Sequence, residues 1–241
     1  FVVCFIGCKN NKSEINSNSV NKTKVVIAHR GASGYLPEHT LESKVMAYAM
    51  GVDYLEQDIV LSKDLVPIVI HDIHLETVTN VKDVFPNKKR ADGKYYVIDF
   101  TFEELQRLNV CERFNSETKQ AVFINRFPLK KSKFKLHSLQ DEIELIQGLN
   151  KSTGKNIGIY PEIKEPTFHK NEGFDISQIV LDVLSNYGYK TKNDNCILQC
   201  FESSELKRIR FELNSKLFLV QLIEFEEDEN SNGIFTAASE D

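Results

Sequence analysis

The sequence has little cysteine, no long apolar run and no surplus of basic residues. Five cysteines in 241 residues are too sparse for a disulfide-stapled scaffold, and none forms the CxxC pair used for metal binding or redox work. No stretch reaches the roughly 18 consecutive apolar residues that cross a bilayer as a helix. With 30 Lys and Arg against 35 Asp and Glu, the net charge is −5. That removes the cationic surplus on which general binding to nucleic acid or another polyanion depends. What is there, 41% hydrophobic and 27% charged positions, suffices for one large domain with a proper core and is too apolar for a disordered chain.

At the N-terminus the apolar residues 1–7 lead into Cys8, and a polar stretch rich in Asn, Ser and Lys follows over 9–24. Gly7-Cys8 after an apolar run is similar to the lipobox that ends a bacterial lipoprotein signal, whose cysteine is acylated; Phe5 stands where such signals usually carry Leu. The alternative is a short core strand followed by a loop. The polar stretch cannot bury enough apolar surface to order itself and is expected to act as a tether. The first residue is Phe1 rather than Met, so a partial sequence is expected.

Beyond Val25, short apolar runs alternate with longer amphipathic segments, the signature of βα units. Residues 25–28 read as a buried strand. Pro37 and Thr40 open a helix with Leu41, Val45, Tyr48 and Ala49 on one face, closed by Gly51 as a C-cap. Residues 54–61 and 67–70 read as strands, and the spacer 62–66 is far too short for a parallel crossover, so they must form an antiparallel hairpin. With Asp64 and Leu65 at the turn, the register places Asp58 opposite His71, on the face that carries Glu56. Residues 72–137 are expected to form an inserted subdomain. They carry turn signals, a basic run Lys88-Lys89-Arg90 expected as a solvated loop, and one helix with Thr101 as N-cap and Glu104 at the capping-box position. The alternation resumes with helices over 139–149, 176–187 and 204–213 and strands over 157–163, 196–199 and 217–223. That makes five parallel-type strands plus the hairpin strand, and 224–241 shows no strand or helix period.

Glu56 and Asp58 are two apart on a strand, so both carboxylates leave one face about 7 Å apart along the chain. Burying them there is costly without a cation between them, and a hard divalent metal is the natural partner. Two solvated acids at a strand end are the alternative. Glu162 and Lys164 repeat this spacing; Glu162 could supply a third metal ligand and Lys164 a charge for phosphate, although such a pair is more often a surface salt bridge. His29 and Arg30 follow directly on the first strand, Gly31 permits a sharp turn, and His71 ends another strand and precedes Asp72. Strand ends are where α/β proteins keep their active sites. Two histidines beside a metal can serve as general acid and base, and Arg30 can clamp a phosphate with its fork of donors. Together these residues point to a metal-assisted phosphoryl site. Glu38 and His39 lie in the first βα loop as supporting groups, and Cys111, Cys196 and Cys200 read as reduced core or near-site residues.

The runs His29-Arg30-Gly31-Ala32, Pro37-Glu38-His39-Thr40, Glu56-Gln57-Asp58, His71-Asp72, Pro161-Glu162-Ile163-Lys164 and Gln199-Cys200-Phe201 occur in this order. Over residues 25–223 the chain thereby resembles the glycerophosphodiester phosphodiesterase family, its periplasmic bacterial type in particular. The resemblance implies a TIM-type (β/α)8 barrel of the α/β class with an inserted segment after the second strand. It implies hydrolysis of deacylated phospholipids, such as glycerophosphocholine, to sn-glycerol 3-phosphate and an alcohol, a step in phospholipid degradation. It also implies Glu56, Asp58 and Glu162 as metal ligands, His29 and His71 as acid and base, and Arg30 and Lys164 as phosphate contacts. Gln199 and Phe201 are implied beside the substrate, with core packing the alternative for Phe201. Calcium is the metal implied for this type, with magnesium in relatives. The partner expected is then a small glycerophosphodiester, with no nucleic acid, and a membrane only through a lipid anchor at Cys8, which would hold the protein in the bacterial envelope.

A closed eight-stranded barrel needs eight parallel strands and about 250 residues without insertions. Once the tether over 9–24 and the insertion over 72–137 are set aside, too little chain remains. The last three strands have no counterpart in 224–241, so the domain 25–241 is expected to be part of a barrel. Three other readings stay open: a related barrel that cleaves choline-type phospholipids to cyclic phosphates, a non-catalytic surface lipoprotein, and a polyanion-binding module, which the acidic balance disfavours.

Overall fold

The computed structural model describes residues 24–227 and 235–237. Cys8, and with it the lipobox and nearly all of the expected tether, lies outside the described residues. In chain order the elements are β1 (Ile27–Ala28), α1 (Leu41–Met50), β2 (Tyr54–Leu61), β3 (Pro67–Val69), α2 (Val81–Val84), a 3-10 turn (Val97–Asp99), α3 (Phe102–Gln106), α4 (Leu139–Thr153), β4 (Gly158–Ile163), α5 (Pro166–Asn171), α6 (Ile176–Asn186), β5 (Ile197–Cys200), α7 (Ser203–Phe211), β6 (Phe218–Gln221), β7 (Phe225–Glu227) and β8 (Phe235–Ala237). Five strands form one parallel sheet in the order β1-β2-β4-β5-β6, and β3 pairs with β2 antiparallel. Among the described residues this sheet is open and does not close into a barrel.

The caps explain where the helices start. Thr40 accepts a hydrogen bond from the Ser43 N–H, Thr101 and Glu104 form a full capping box, and Asp175 accepts from the Gln178 N–H. Gly51 closes α1 in the left-handed region at φ 84°. The strands over 224–241 carried no readable period because β7 and β8 are three residues each, too short to show one; they pair with each other as a separate antiparallel hairpin.

The hairpin between β2 and β3 differs from the sequence expectation by one residue. Ile59 pairs with Val69 and Leu61 with Pro67, and the Ile70 N–H donates to the Asp58 carbonyl at 2.9 Å. The turn is a longer loop in which Ser62 N–H donates to the Val66 carbonyl at 3.0 Å and Leu65 takes a left-handed conformation at φ 64°. Ile70 therefore stands opposite Asp58, and His71 falls in the loop beyond the ladder.

Strand β2 is buried on both faces, as a central parallel strand should be. Leu55, Ile59 and Leu61 join Ala47, Ile143, Ile146, Ile159 and Val180 in the core beneath the helices. Val60 turns the other way, toward Ile68, Leu75, Val97, Phe100, Leu105 and Phe134, so much of the 72–137 segment packs around its own apolar cluster. The basic run in that segment is not merely a solvated loop. Lys88 pairs with Glu104 at 2.6 Å, and Arg90 bridges Asp99 at 2.8 Å and Glu172 at 2.7 Å, tying the segment to the loop after α5.

Helix α1 also turns a different face inward. Ser43, Lys44, Ala47 and Tyr48 are buried, whereas Val45 and Ala49 are exposed. The cause is a polar cluster inside the protein. Lys44 Nζ, fully enclosed, lies 3.1 Å from Glu142 Oε1 and donates to the Glu56 carbonyl. Glu142 also accepts from Gln57 Nε2 at 2.8 Å and meets His137 Nε2 at 2.8 Å, while Gln57 Oε1 takes the Tyr160 N–H at 3.1 Å. Burial works against the Glu142 charge, but the Lys44 cation and the His137 and Gln57 hydrogen bonds outweigh it and bring the carboxyl down to about 2. Because this carboxyl lies below its ordinary value of 4.5, its contribution to stability is complete above that value and is lost as pH falls toward about 2. Lys44→Ala is expected to cost about 3–5 kcal/mol at neutral pH by leaving a buried charge unpaired, and to flatten this acid limb. Urea unfolding checks both, and an unchanged midpoint at neutral pH contradicts the assignment.

Candidate active site

The C-terminal ends of the parallel strands gather the chemistry-bearing residues, the usual place for a site in such sheets. The ladder aligns Asp58 of β2 with Glu162 of β4, and Glu162 with Gln199 of β5. Glu56 precedes Asp58 by two residues and shares its face. His29 and Arg30 follow β1, His71 and Asp72 follow β3, Lys164 follows β4 and Phe201 follows β5.

The first loop is shaped by its backbone. Arg30 and Gly31 both take left-handed conformations, at φ 60° and 83°. A Cβ on Gly31 would meet Ser43 Oγ at 2.6 Å, so only glycine fits this turn. The turn aims the Arg30 N–H at Glu56 Oε2, 2.6 Å away. Glu56 Oε1 and Asp58 Oδ1 are left buried without a hydrogen-bond partner. Asp58 Oδ2 is held by His39 Nε2 at 2.7 Å, with Arg30 Nε at 3.7 Å.

These carboxylates cannot all carry their charge unaided. Burial and the neighbouring Asp58 push Glu56 well above its ordinary value and Glu162 up to about 7. Asp58 stays well below its own, since the His39 hydrogen bond and nearby cations overcome its burial. His39 is lowered to about 4 by burial and by Lys44, so it is a neutral ring that fixes one Asp58 oxygen and leaves the other bare. The ligand atoms of His39, Glu56 and Asp58 lie within 4.8 Å of one another. Two orphaned carboxylate oxygens, with a third acid beside them in the ladder, fit a hard divalent cation.

Around this cluster stand the histidines and the cations. Partial burial and the Arg30 charge lower the His29 imidazole, with Asp58 and His71 also close enough to act on it. His71 Nδ1 bonds Asp72 Oδ1 at 2.5 Å and its Nε2 lies 3.5 Å from Lys164 Nζ. Asp72 remains a carboxylate despite its burial because the His71 hydrogen bond and Arg113 hold it. Lys164 pairs with Glu162 at 2.8 Å and sits 5.6 Å over the Phe201 ring. Phe201 is 40% exposed and so lies at the rim rather than in the core. Gln199 is buried in the ladder row beside Glu162.

Every site residue predicted within the described part of the chain thus lies at this end of the sheet. Arg113 was missed. Its guanidinium spans Glu38 at 2.6 Å and Asp72 at 2.6 Å, and Glu38 in turn holds Arg30 at 3.3 Å. An arginine within a turn-rich segment carries no local mark of such a bridge. The cysteines Cys111, Cys196 and Cys200 are buried and unpaired, as read from the sequence.

Fold and site together define an α/β protein with a buried acidic cluster that could hold a cation and two histidines at the C-terminal end of a parallel sheet. The chain belongs to the glycerophosphoryl diester phosphodiesterase family, whose family model matches residues 29–239. It is 53% identical over 225 residues to the glycerophosphodiester phosphodiesterase of Haemophilus influenzae, with 91% of this chain and 62% of that protein covered. It is 48% identical over 195 residues to that of Treponema pallidum, with 80% and 55% covered. The chain therefore spans only about three fifths of the length of these relatives. Among solved structures it resembles a phosphodiesterase from Oleispira antarctica in complex with the product sn-glycerol-3-phosphate, at TM-score 0.54 and 22% identity over 78% of this chain and 61% of that one. A glycerophosphodiester phosphodiesterase from Agrobacterium tumefaciens matches at TM-score 0.53 and 22% identity, covering 78% and 64%. At this identity the likeness of the structures is one of fold.

A carboxyl raised as Glu162 is, from 4.5 to about 7, withdraws stability as pH rises through that window. Added Ca²⁺ or Mg²⁺ is therefore expected to raise Tm, and to raise it more near about pH 8 than about pH 5, where the acids hold protons. The Glu56→Gln, Asp58→Asn double variant should lose the effect. A cation response that survives in that variant, or is larger in acid, contradicts the site.

Proposed function

We propose that this chain carries the catalytic apparatus of a divalent-metal-dependent hydrolase that cleaves glycerophosphodiesters, such as glycerophosphocholine, to sn-glycerol 3-phosphate and an alcohol. The observation that supports it most is the placement of His29 and His71, which follow β1 and β3, at the sheet end that carries Glu56, Asp58 and Glu162, where two carboxylate oxygens lack partners. The names of the relatives, and the product bound in the Oleispira enzyme, favour the same substrate class.

Glu56, Asp58 and Glu162 would hold the cation. Oxygen donors suit Ca²⁺, or Mg²⁺, better than a thiophilic metal. When bound, the metal lowers the pKa of a glycerol hydroxyl and neutralises charge that develops on phosphate. Arg30 and Lys164 supply positive charge for the phosphate oxygens. His29, whose lowered pKa keeps it neutral at physiological pH, takes the proton of the hydroxyl that attacks phosphorus. His71, its ring fixed through Asp72, donates a proton to the departing alcohol oxygen, and a cyclic phosphate results. Water then opens the ring with the two histidines in exchanged roles.

The same reading assigns 72–137 to an insertion in a (β/α)8 barrel. It takes Cys8 as a lipid-anchored residue that holds the protein in the bacterial envelope. Palmitate labelling that is absent, or that persists in Cys8→Ala, would remove the anchor.

His29→Ala and His71→Ala are each expected to lose about 10²- to 10⁴-fold in turnover while keeping the cation-dependent rise in Tm. A p-nitrophenyl leaving group should rescue His71→Ala but not His29→Ala, since that group departs without a proton. Release of glycerol 3-phosphate from glycerophosphocholine should stop with a chelator. A fully active single variant removes that histidine from the reaction, and chelator-resistant release overturns the metal-dependent reading.

A further inference from the structure

Between Glu117 and Asp141 the chain contains no acidic residue and six basic ones, Lys119, Arg126, Lys130, Lys131, Lys133 and Lys135, in a protein whose net charge is −5. No ion pair among the described residues involves any of the six. Amid this charge stands an apolar tip, with Val122 50%, Phe123 39% and Ile124 83% exposed. Exposed apolar side chains grouped in this way mark a surface that meets something else.

The tip has a defined shape. Phe114 and Ala121 form an antiparallel bridge, the Val122 N–H donates to the Arg113 carbonyl at 2.9 Å, and the Arg126 N–H donates to the Phe123 carbonyl at 3.1 Å. The Arg126 guanidinium lies 3.6 Å from the centre of the Phe123 ring. Behind the tip, Phe127 packs edge-on against Phe134, which belongs to the second apolar cluster. Arg113, to which the tip is bonded, is the residue whose guanidinium joins Glu38 and Asp72. Lys131 and Lys133 are exposed close by in the chain.

We infer that the 119–135 segment is a docking surface for an anionic lipid bilayer, with Val122, Phe123 and Ile124 entering the headgroup and upper acyl region and the lysines lying over acidic headgroups. Unpaired basic charge alone would suit any polyanion, but a polyanion offers no apolar phase for an exposed isoleucine and valine. An interface of lipid offers both at once. Contact would be made through the protein's own side chains, separately from an acyl chain at Cys8, and would set the site side of the sheet close to the membrane.

The test uses the full chain carrying Cys8→Ala, so that no acyl group contributes, sedimented with phosphatidylcholine vesicles with and without phosphatidylglycerol. Partition onto the mixed vesicles is expected to exceed that onto neutral ones by about tenfold or more and to fall with added salt. Val122→Ser with Ile124→Ser, which changes no charge, should weaken binding by about tenfold. Lys131→Gln with Lys133→Gln should weaken it by about fivefold per lysine. Both variants should keep the parent Tm, and the parent hydrolysis rate on soluble glycerophosphocholine, because neither pair touches the site. Equal binding to both vesicle types, or none, overturns the inference. So does vesicle binding that survives loss of Val122 and Ile124, since the segment would then be a plain polyanion surface.

Discussion

Parallel pairing of β2 with β4 sets Asp58 and Glu162 side by side inside the protein, with Glu56 on the same face. Neighbouring ladder positions are about 5 Å apart, and two full charges at that spacing repel by roughly 3 kcal/mol at an effective dielectric of 20. No packing of apolar side chains can relieve this. The polar architecture around the sheet end answers it piece by piece. His39 holds one oxygen of Asp58, the Arg30 N–H takes one of Glu56, and Lys164 lies against Glu162. What these donors leave uncovered, Glu56 Oε1 and Asp58 Oδ1, has the chemistry that suits a divalent cation. Partial neutralisation is a condition for exchangeable binding, because a carboxylate cluster fully matched by arginine and lysine would have nothing left to offer a metal.

The strand that bears the acids is held from its other face by a second charged cluster. Lys44 donates to the Glu56 carbonyl and pairs with Glu142, and Glu142 accepts from Gln57, the residue between the two acids. A single residue step in β2 alternates between the acidic cluster and this network. The backbone around Glu56 is thus fixed through its own carbonyl, not only through the side chains that face the site. Lys44 also reaches the site by its field, being one of the charges that keeps His39 neutral. A neutral His39 donates to Asp58 and does not compete with a metal for charge, so the helix-side network bears on what the strand end can bind.

Much of this was legible in sequence, and the division follows the range of the interactions. Caps at Thr40 and Thr101 are local hydrogen bonds and were read correctly. The strands of four or more residues were legible as short apolar runs, and the shared face of Glu56 and Asp58 follows from the two-residue period of a strand. The inward turn of Lys44 was not legible, because hydrophobic periodicity assigns a lysine to water unless a buried carboxylate awaits it, and Glu142 stands far along the chain. Arg113 joins Glu38 and Asp72 over separations of 75 and 41 residues, which no local pattern records. The β2–β3 register slipped by one because Leu65, a residue with no special tolerance for positive φ, adopts the left-handed conformation there.

That slip has a functional side. Had the hairpin been tighter, His71 would have stood in the ladder with its direction fixed by the pleat, and its ring nitrogen would have been set by sheet geometry alone. In the loop beyond the ladder, its orientation comes instead from Asp72, which is itself pinned by Arg113. Arg113 also pins Glu38, and Glu38 holds Arg30 next to His29. One guanidinium from the 72–137 segment thereby sets the two histidine-bearing loops relative to each other. The segment after β3 is then part of how the site is assembled rather than an ornament on the sheet, because without Arg113 Asp72 would lose its guanidinium and Glu38 would be left with Arg30 alone.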